Sequence, residues 1–417
     1  MIPGPGLKRP LHIVYIVQYF NLPSEPGGGR AYHFATHWAK AGHRVTVITG
    51  TVNHKTAEVP EKYRGRAFTH ENLGGVDLVR CASSAGIRGS FTGRIKNFLG
   101  FAGLASWAAL RRIDRPDVVY ASSTPLSVGV PGLVAATRWG CPFVFEVRDL
   151  WPESAVIAGV LKSRPIIAAA TAFERLVYRR ATRIVAVTRG IQDGVVARGV
   201  PREKLVFIPN GVDDIVGEAA TALPARGDGT FRIVYVGALG RWNGNETLVD
   251  AAALLKDDPG IEFLVVGDGD QRRELEDRAR LAGARMRFLG ALPKDRAVEQ
   301  IRAAEACVIC TWDHPFHRMV LANKIFDYMG AGKPVLAAAR GEMEQLLAEA
   351  GAGLSVPPGD PEALAGIVRR MRDLPEAERV AMGRRGREHV LANYRRSDLA
   401  AKLETVLVAI RSAVSPG

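Results

Sequence analysis

Cysteine is scarce in this chain, with four in 417 residues. Cys81, Cys141, Cys307 and Cys310 have neither the density nor the spacing of a disulfide framework. Cys307 and Cys310 form a Cys-x-x-Cys pair, yet no second cysteine or histidine pair completes a zinc site. The pair falls in an apolar run that reads as a strand, where residues three apart point to opposite faces. Buried structural thiols in a reducing, cytoplasmic setting are the expectation. Long apolar runs are missing too. The nearest approach is residues 93–112, whose uncharged core from Asn97 to Leu110 is 14 residues, short of the roughly 20 that span a bilayer. Arg94, Lys96, Arg111 and Arg112 bracket it, with Phe98, Phe101 and Trp107 between, so it reads either as a helix lying on a membrane or as a core helix with basic ends. The apolar stretch at 11–17 has the length of a strand rather than of a signal sequence. Basic stretches interleaved with aromatics are absent, as is any recognition-helix pattern, which leaves no case for nucleic acid as a partner.

What the chain does have is a lopsided charge. Residues 1–200 hold 26 Lys and Arg against 12 Asp and Glu, whereas the remainder is close to neutral. An anionic membrane surface or a phosphorylated acceptor suits a one-sided excess of this kind.

The organisation follows from alternating short apolar runs and helical stretches. Runs at 11–17 and 43–49 flank a helical face carrying Phe34, Trp38 and Ala39, which makes a βαβ unit with parallel strands. Further strands are expected at 116–122, 142–147 and 183–188. A weakly patterned Gly/Ala-rich segment follows near 216–230, and the alternation then restarts with runs at 231–239, 261–269, 286–290, 306–311 and 333–338. This is the pattern of two doubly wound α/β domains, placed at 1–205 and 206–390. A long helical stretch near 377–413 is read as a terminal segment, 391–417, that crosses back to the first domain. Parallel α/β domains bind ligands beyond the carboxyl ends of their strands, so two such domains facing each other create a cleft.

Four strand-end segments carry the chemistry. Gly27, Gly28 and Gly29 precede a helix, where backbone N–H groups can approach a phosphate, although a plain flexible loop reads equally well. Arg148 and Asp149 leave the strand ending at Val147: Asp149 could orient or deprotonate a hydroxyl and Arg148 hold an anion, or the two could simply close a turn. Arg241 lies in the turn after the first strand of the second domain, within reach of a diphosphate. Lys324 and Asp327 are three apart and share one helix face; the lysine suits a phosphate and the aspartate suits ribose or sugar hydroxyls, or the two could simply form a surface ion pair. Asp268 and Asp270 form an Asp-x-Asp that could hold a cation, but a capping turn at the start of the following helix accounts for both, and no metal is expected.

With the segments GGGRAYHFATHWAKAGHRVTVIT, FEVRDLWPES, FIPNGVD, VVGDGDQRRELE and NKIFDYMGAGKPVLAA in place, the chain resembles the family 4 glycosyltransferases of GT-B fold. Within them it is similar to the bacterial branch that includes N-acetyl-fucosamine transferases of surface polysaccharide assembly. The resemblance implies two facing Rossmann-like domains, the first binding an acceptor and the second a nucleotide-sugar. It further implies a UDP-linked donor, retention of anomeric configuration, a hydroxyl acceptor on a polysaccharide or lipid-linked intermediate, and no cofactor. Gly28 and Gly29 would touch the donor diphosphate, Arg241 and Lys324 would neutralise it, and Asp327 would fall on the second acid of the family's E-x7-E motif, at the ribose. The first acid of that motif falls at Met319, and the lysine usually found shortly after Arg241 has no counterpart. Two alternatives stand beside this reading: a nucleotide-sugar epimerase of the same fold, for which His314 and His317 would be the acid/base groups, and a non-catalytic nucleotide-sugar-binding partner, which Met319 keeps open.

Overall fold

A computed structural model describes residues 10–22, 25, 29–53, 58–84, 91–213, 216 and 229–414. The chain divides into two compact units. The first comprises residues 1–209 together with 397–417, and the second comprises 210–396.

The first unit is built on an eight-stranded sheet. Its strands are β1 (His12–Val17), β2 (Arg44–Gly50), β3 (Phe68–Leu73), β4 (Val76–Cys81), β5 (Val118–Ser122), β6 (Phe143–Val147), β7 (Arg183–Ala186) and β8 (Leu205–Phe207). They lie in the order β3-β4-β2-β1-β5-β6-β7-β8. Every neighbouring pair is parallel except the β3–β4 hairpin. The central strands are continuous runs of Val, Ile, Phe and Tyr because helices cover both faces of a parallel sheet and leave no side for polar residues. The hairpin was not anticipated from sequence, since β3 is a partly exposed edge with Thr, His, Glu and Asn along it.

One face of this sheet packs on the helix Arg30–Lys40 through Ala31, Phe34, Ala35 and Trp38, and on the terminal helix Arg396–Val414 through Leu399, Leu403, Leu407 and Ile410. Trp38 Nε1 donates to the carbonyl of Ala400 at 3.2 Å, and Arg411 Nε reaches Asp117 at 2.8 Å. Each of the buried Leu and Ile side chains contributes about 1.5–3 kcal/mol by leaving water, so this last helix is part of the first unit's core. The single helical stretch expected near 377–413 is in fact two helices, Glu376–Asn393 and Arg396–Val414, broken at Tyr394 and Arg395.

The second unit has six parallel strands: β9 (Phe231–Val236), β10 (Ile261–Val266), β11 (Met286–Gly290), β12 (Ala306–Cys310), β13 (Val335–Ala338) and β14 (Gly353–Val356). Their order is β11-β10-β9-β12-β13-β14. Cys307 and Cys310 belong to the two separate cores on opposite faces of this sheet, as alternation along β12 requires. All four cysteines are free thiols, and burial pushes Cys310 up to about 12.

The chain enters and leaves the second unit through adjacent segments. Val212 N donates to Tyr394 O at 2.9 Å and Arg396 N to Val212 O at 3.2 Å, while Arg396 Nη2 donates to Gly211 O at 2.7 Å. No helix among the described residues is long and apolar enough to cross a membrane.

Candidate active site

In each sheet the strand order reverses at one place, between β1 and β5 in the first unit and between β9 and β12 in the second. Loops diverge there and leave a crevice at the carboxyl ends of the strands. Five of the seven residues singled out from sequence sit at or beside these two points. Asp327 is reached through the helix that follows β12, and Gly28 lies outside the described residues.

At the first switch point, Gly29 is the N-cap of the helix Arg30–Lys40, with no side chain capping it and no acidic residue in the first turn. A helix start without acidic side chains favours an anion. Arg30, which sequence reasoning passed over, is buried and tied on several sides. Its Nε and Nη2 reach Glu146 Oε1 at 3.0 and 2.7 Å, Nη2 donates to Ile208 O at 2.8 Å, and Nη1 donates to Pro209 O. Glu146 is fully buried at the end of β6, and its other oxygen accepts from Ser122 Oγ of β5. Burial raises the carboxyl's pKa, but the charges of Arg30 and Arg148 and the Ser122 bond outweigh it and leave Glu146 below the usual carboxylate range. This pair locks the glycine-led helix to β5, β6 and the end of the first unit.

Arg148 and Asp149 follow directly. Arg148 N donates to Ser123 Oγ at 3.1 Å, and Asp149 Oδ2 accepts from Thr124 Oγ1 at 3.4 Å. Burial raises the pKa of Asp149, only partly offset by the Arg148 charge and the Thr124 bond. A carboxylate whose proton affinity is raised in this way is better matched to accepting a hydroxyl proton than an exposed aspartate.

At the second switch point, Arg241 opens a short 3-10 turn, Arg241–Asn243, and its side chain is exposed. Lys324 lies on the helix Asn323–Gly330. Its Nζ donates to Tyr235 Oη at 2.8 Å and to Asn243 Oδ1 at 3.2 Å, and sits 4.2 Å from the Tyr235 ring centroid. Gly237 makes room for it, since a Cβ there would fall 2.6 Å from Nζ. Tyr328 on the same helix exchanges bonds with both the N–H and the C=O of Val236 at 2.7 and 3.2 Å. The helix is thus fastened to the end of β9, and the ammonium is held over it.

Asp327 does not pair with Lys324. Its Oδ2 forms an ion pair with Lys294, the first residue of the helix Lys294–Ala303 after β11. Lys294 also lies 3.5 Å from Asp213, which is paired with Arg396. Asp268 and Asp270 do not cap the helix that follows them, as the sequence suggested. That helix, Arg272–Ala282, has Gln271 at its N-cap, while Asp268 Oδ1 accepts from the neighbouring Gly269 N–H at 2.8 Å. Among the described residues no three His, Cys, Asp or Glu side chains come together to hold a metal ion.

The loop after β12 brings an aromatic cluster against the turn that carries Arg241. Trp242 meets Trp312 at 6.1 Å edge to face, and lies 5.0 Å from His317 and 6.0 Å from Phe316. Trp312 stacks on His314 at 4.9 Å. Trp312 N donates to Trp242 O at 3.3 Å, and Gly244, at φ +53°, would drive a Cβ to 2.4 Å from Thr311 O. No periodicity in the sequence could have found this cluster, because its members come from loops about 70 positions apart. Both histidines belong to this cluster. His314 Nδ1 accepts from Phe316 N at 3.1 Å as a helix cap, and His317 is buried, with its pKa pushed down to about 4 by burial and by the His314 charge. Met319 closes the 3-10 turn Pro315–Met319, where the resemblance expects an acid.

The comparisons match both halves of the chain. The glycosyl transferase 4-like domain family matches residues 27–211, and the glycosyl transferases group 1 family matches residues 230–373. The 2-deoxystreptamine glucosyltransferase of Streptomyces kanamyceticus is 32% identical over 275 residues, 62% of this chain and 68% of the relative. WcaI of Escherichia coli (strain K12), whose name places it in colanic acid biosynthesis, is 26% identical over 387 residues, 88% of this chain and 94% of the relative. Among solved structures, sucrose-phosphate synthase from Thermosynechococcus elongatus superposes with a TM-score of 0.72 at 21% identity, covering 97% of this chain and 100% of that one. The chain belongs to the glycosyltransferases of GT-B fold, in the family that joins a 4-like first half to a group 1 second half. The matches give no support to an epimerase.

Proposed function

We propose that this glycosyltransferase moves a sugar from a nucleoside diphosphate donor, UDP-linked, to a hydroxyl acceptor, with retention of configuration and without a metal. The observation that carries the reading is the Lys324 ammonium, held by Tyr235 and Asn243 over the end of β9. A fixed cation at a switch point stabilises the charge that develops on a departing diphosphate, and does so without reorganising during the reaction. In this reading Lys324 and Arg241 neutralise the diphosphate, the amides led by Gly28 and Gly29 touch it, and Asp327 accepts from the ribose hydroxyls. Asp149 orients the acceptor hydroxyl, with Arg148 beside it to hold an anionic acceptor group. The acceptor oxygen attacks on the face from which the diphosphate leaves, and its proton passes to a departing phosphate oxygen. N-acetylated hexoses are the first donors to test, given the resemblance to N-acetyl-fucosamine transferases.

The acceptor in this proposal is a lipid-linked polysaccharide intermediate. The support is the helix Phe91–Arg111, whose outer side exposes Leu99, Trp107 and Leu110 beside Lys96 and Arg111. Apolar side chains flanked by cations suit the headgroup boundary of an anionic membrane.

A panel of UDP-, GDP- and TDP-sugars with EDTA present tests the donor half, by thermal shift and by hydrolysis, on wild type and Lys324→Ala. Stabilisation by one nucleotide series that is lost in the variant is the expected result. No stabilisation by any of them, in well-folded protein, sinks the reading. Sedimentation with phosphatidylglycerol vesicles, lost in a Leu99→Glu/Trp107→Glu variant, tests the membrane half.

A further inference from the structure

We infer that Lys294 is a positioning residue for the donor's ribose: by holding one oxygen of Asp327 it presents the other to the ribose hydroxyls and makes the 2′-hydroxyl a determinant of donor choice. The inference rests on the proposed placement of Asp327 at the ribose. Nothing in the sequence ties the two residues together, as they are 33 positions apart.

Three observations carry it. First, the contact is one-sided. Lys294 Nζ meets Asp327 Oδ2, so the carboxylate is anchored through a single oxygen and Oδ1 is the one to offer. Both side chains keep partial access to solvent, 29% for Lys294 and 18% for Asp327, so a ligand can reach them. Second, Lys294 bridges two carboxylates. Asp213 is met by Arg396 and, at 3.5 Å, by Lys294, while Asp327 is met by Lys294. A cation shared between two carboxylates holds both in place. Third, the helix bearing Asp327 is fixed by Tyr328 on Val236 and by Lys324 on Tyr235 and Asn243. Lys294 completes this by fixing the carboxylate itself. Without it, Asp327 would have to lose rotameric freedom at the moment of binding, which weakens association.

The cation usually found shortly after Arg241 is missing. Lys294 is not its replacement at the phosphates, since its partner is a carboxylate; it acts at the nucleoside end.

The test is isothermal titration of UDP, 2′-deoxy-UDP, GDP and 2′-deoxy-GDP against wild type, Lys294→Met, Lys294→Arg, Asp327→Asn and the Met/Asn double variant. Wild type is expected to prefer one ribonucleotide to its deoxy counterpart. Lys294→Met should weaken that ribonucleotide about tenfold while leaving the deoxy form unchanged, a loss of selectivity typical of an unpaired hydroxyl contact. Lys294→Arg should restore most of the preference, and Lys294→Met should have no effect in the Asp327→Asn background. Equal weakening of both nucleotides by Lys294→Met, or a wild type indifferent to the 2′-hydroxyl, overturns the inference and leaves the donor reading standing. A wild type that binds none of the four overturns both. Melting temperatures of each variant identify any global loss of fold, and the Arg variant carries the test if the Met variant is unstable.

Discussion

Replacing Gly237 with alanine is the most direct way to ask whether the ammonium of Lys324 matters where it sits. The new Cβ would lie 2.6 Å from Lys324 Nζ, 2.9 Å from its Cε and 3.1 Å from Tyr235 Oη. The backbone can stay in place, because the obstructing atoms are the far end of a flexible side chain. The ammonium must then leave Tyr235 Oη and Asn243 Oδ1, at 2.8 and 3.2 Å. It is half-buried and recovers much of its solvation in water, so the cost to folding should be about 1 kcal/mol, or roughly 2–4 °C in Tm. Donor binding should suffer more. A charge-assisted contact to a diphosphate contributes about 1.5–3 kcal/mol, so Kd for UDP should rise about 10- to 150-fold. Uridine, which has no phosphate to contact, should bind the variant and the wild type alike. Titration calorimetry on wild type, Gly237→Ala and Lys324→Ala reads all of this. If Gly237→Ala binds UDP within about twofold of wild type while Lys324→Ala does not, the ammonium acts from somewhere other than the position above Gly237, and the reasoning fails.

Other outcomes follow from the same geometry. Asp149→Asn should lower kcat/KM for the acceptor by roughly 10²-fold, since a hydroxyl held out of line attacks poorly. Because burial raises the pKa of Asp149 in the folded state, its ionisation favours unfolding as pH rises through that value. Asp149→Asn should therefore gain Tm over wild type at pH 8 and not at pH 4. Glu146→Gln leaves Arg30 buried without its counter-charge, and should cost about 3–5 kcal/mol in urea unfolding. Since Glu146 titrates below its ordinary range when folded, its contribution is present above the unfolded value and lost as pH falls through the folded one, so the variant's deficit should shrink in acid. Leu403→Ala, on the terminal helix and fully buried, should cost about 2–5 kcal/mol.

The sheets were legible because a parallel strand covered on both faces must be apolar along its length, as at Ile13–Val17 and Val118–Ala121. The β3–β4 hairpin escaped because its outer strand, Phe68–Leu73, is an edge whose polar side chains hide the pattern. The site was half legible. Lys324, Asp327, Arg241, Arg148 and Asp149 are marked by their position after strands, which sequence can show. Their partners are not, since Glu146 is 116 positions from Arg30 and Lys294 is 33 from Asp327. The spacing of Lys324 and Asp327 hinted at a pair, yet each reaches a different element, because tertiary packing supplied partners that a single helix face could not. Trp242 and Trp312 meet only because β9 and β12, distant in sequence, are neighbours at the point of strand reversal.

The placement of residues 397–417 within the first unit sets the order in which this protein can mature on the ribosome. Domains ordinarily fold as they emerge, the N-terminal one first. Here the earlier-made unit must wait: Phe34, Trp38 and the strands beneath them stay uncovered until Leu399, Leu403, Leu407 and Ile410 have been translated. The second unit has its whole sequence once Arg396 is out. Nascent chains of this enzyme would thus carry a finished second unit on an unfinished first one, and a stop before Leu399 would cripple the unit that was synthesised first.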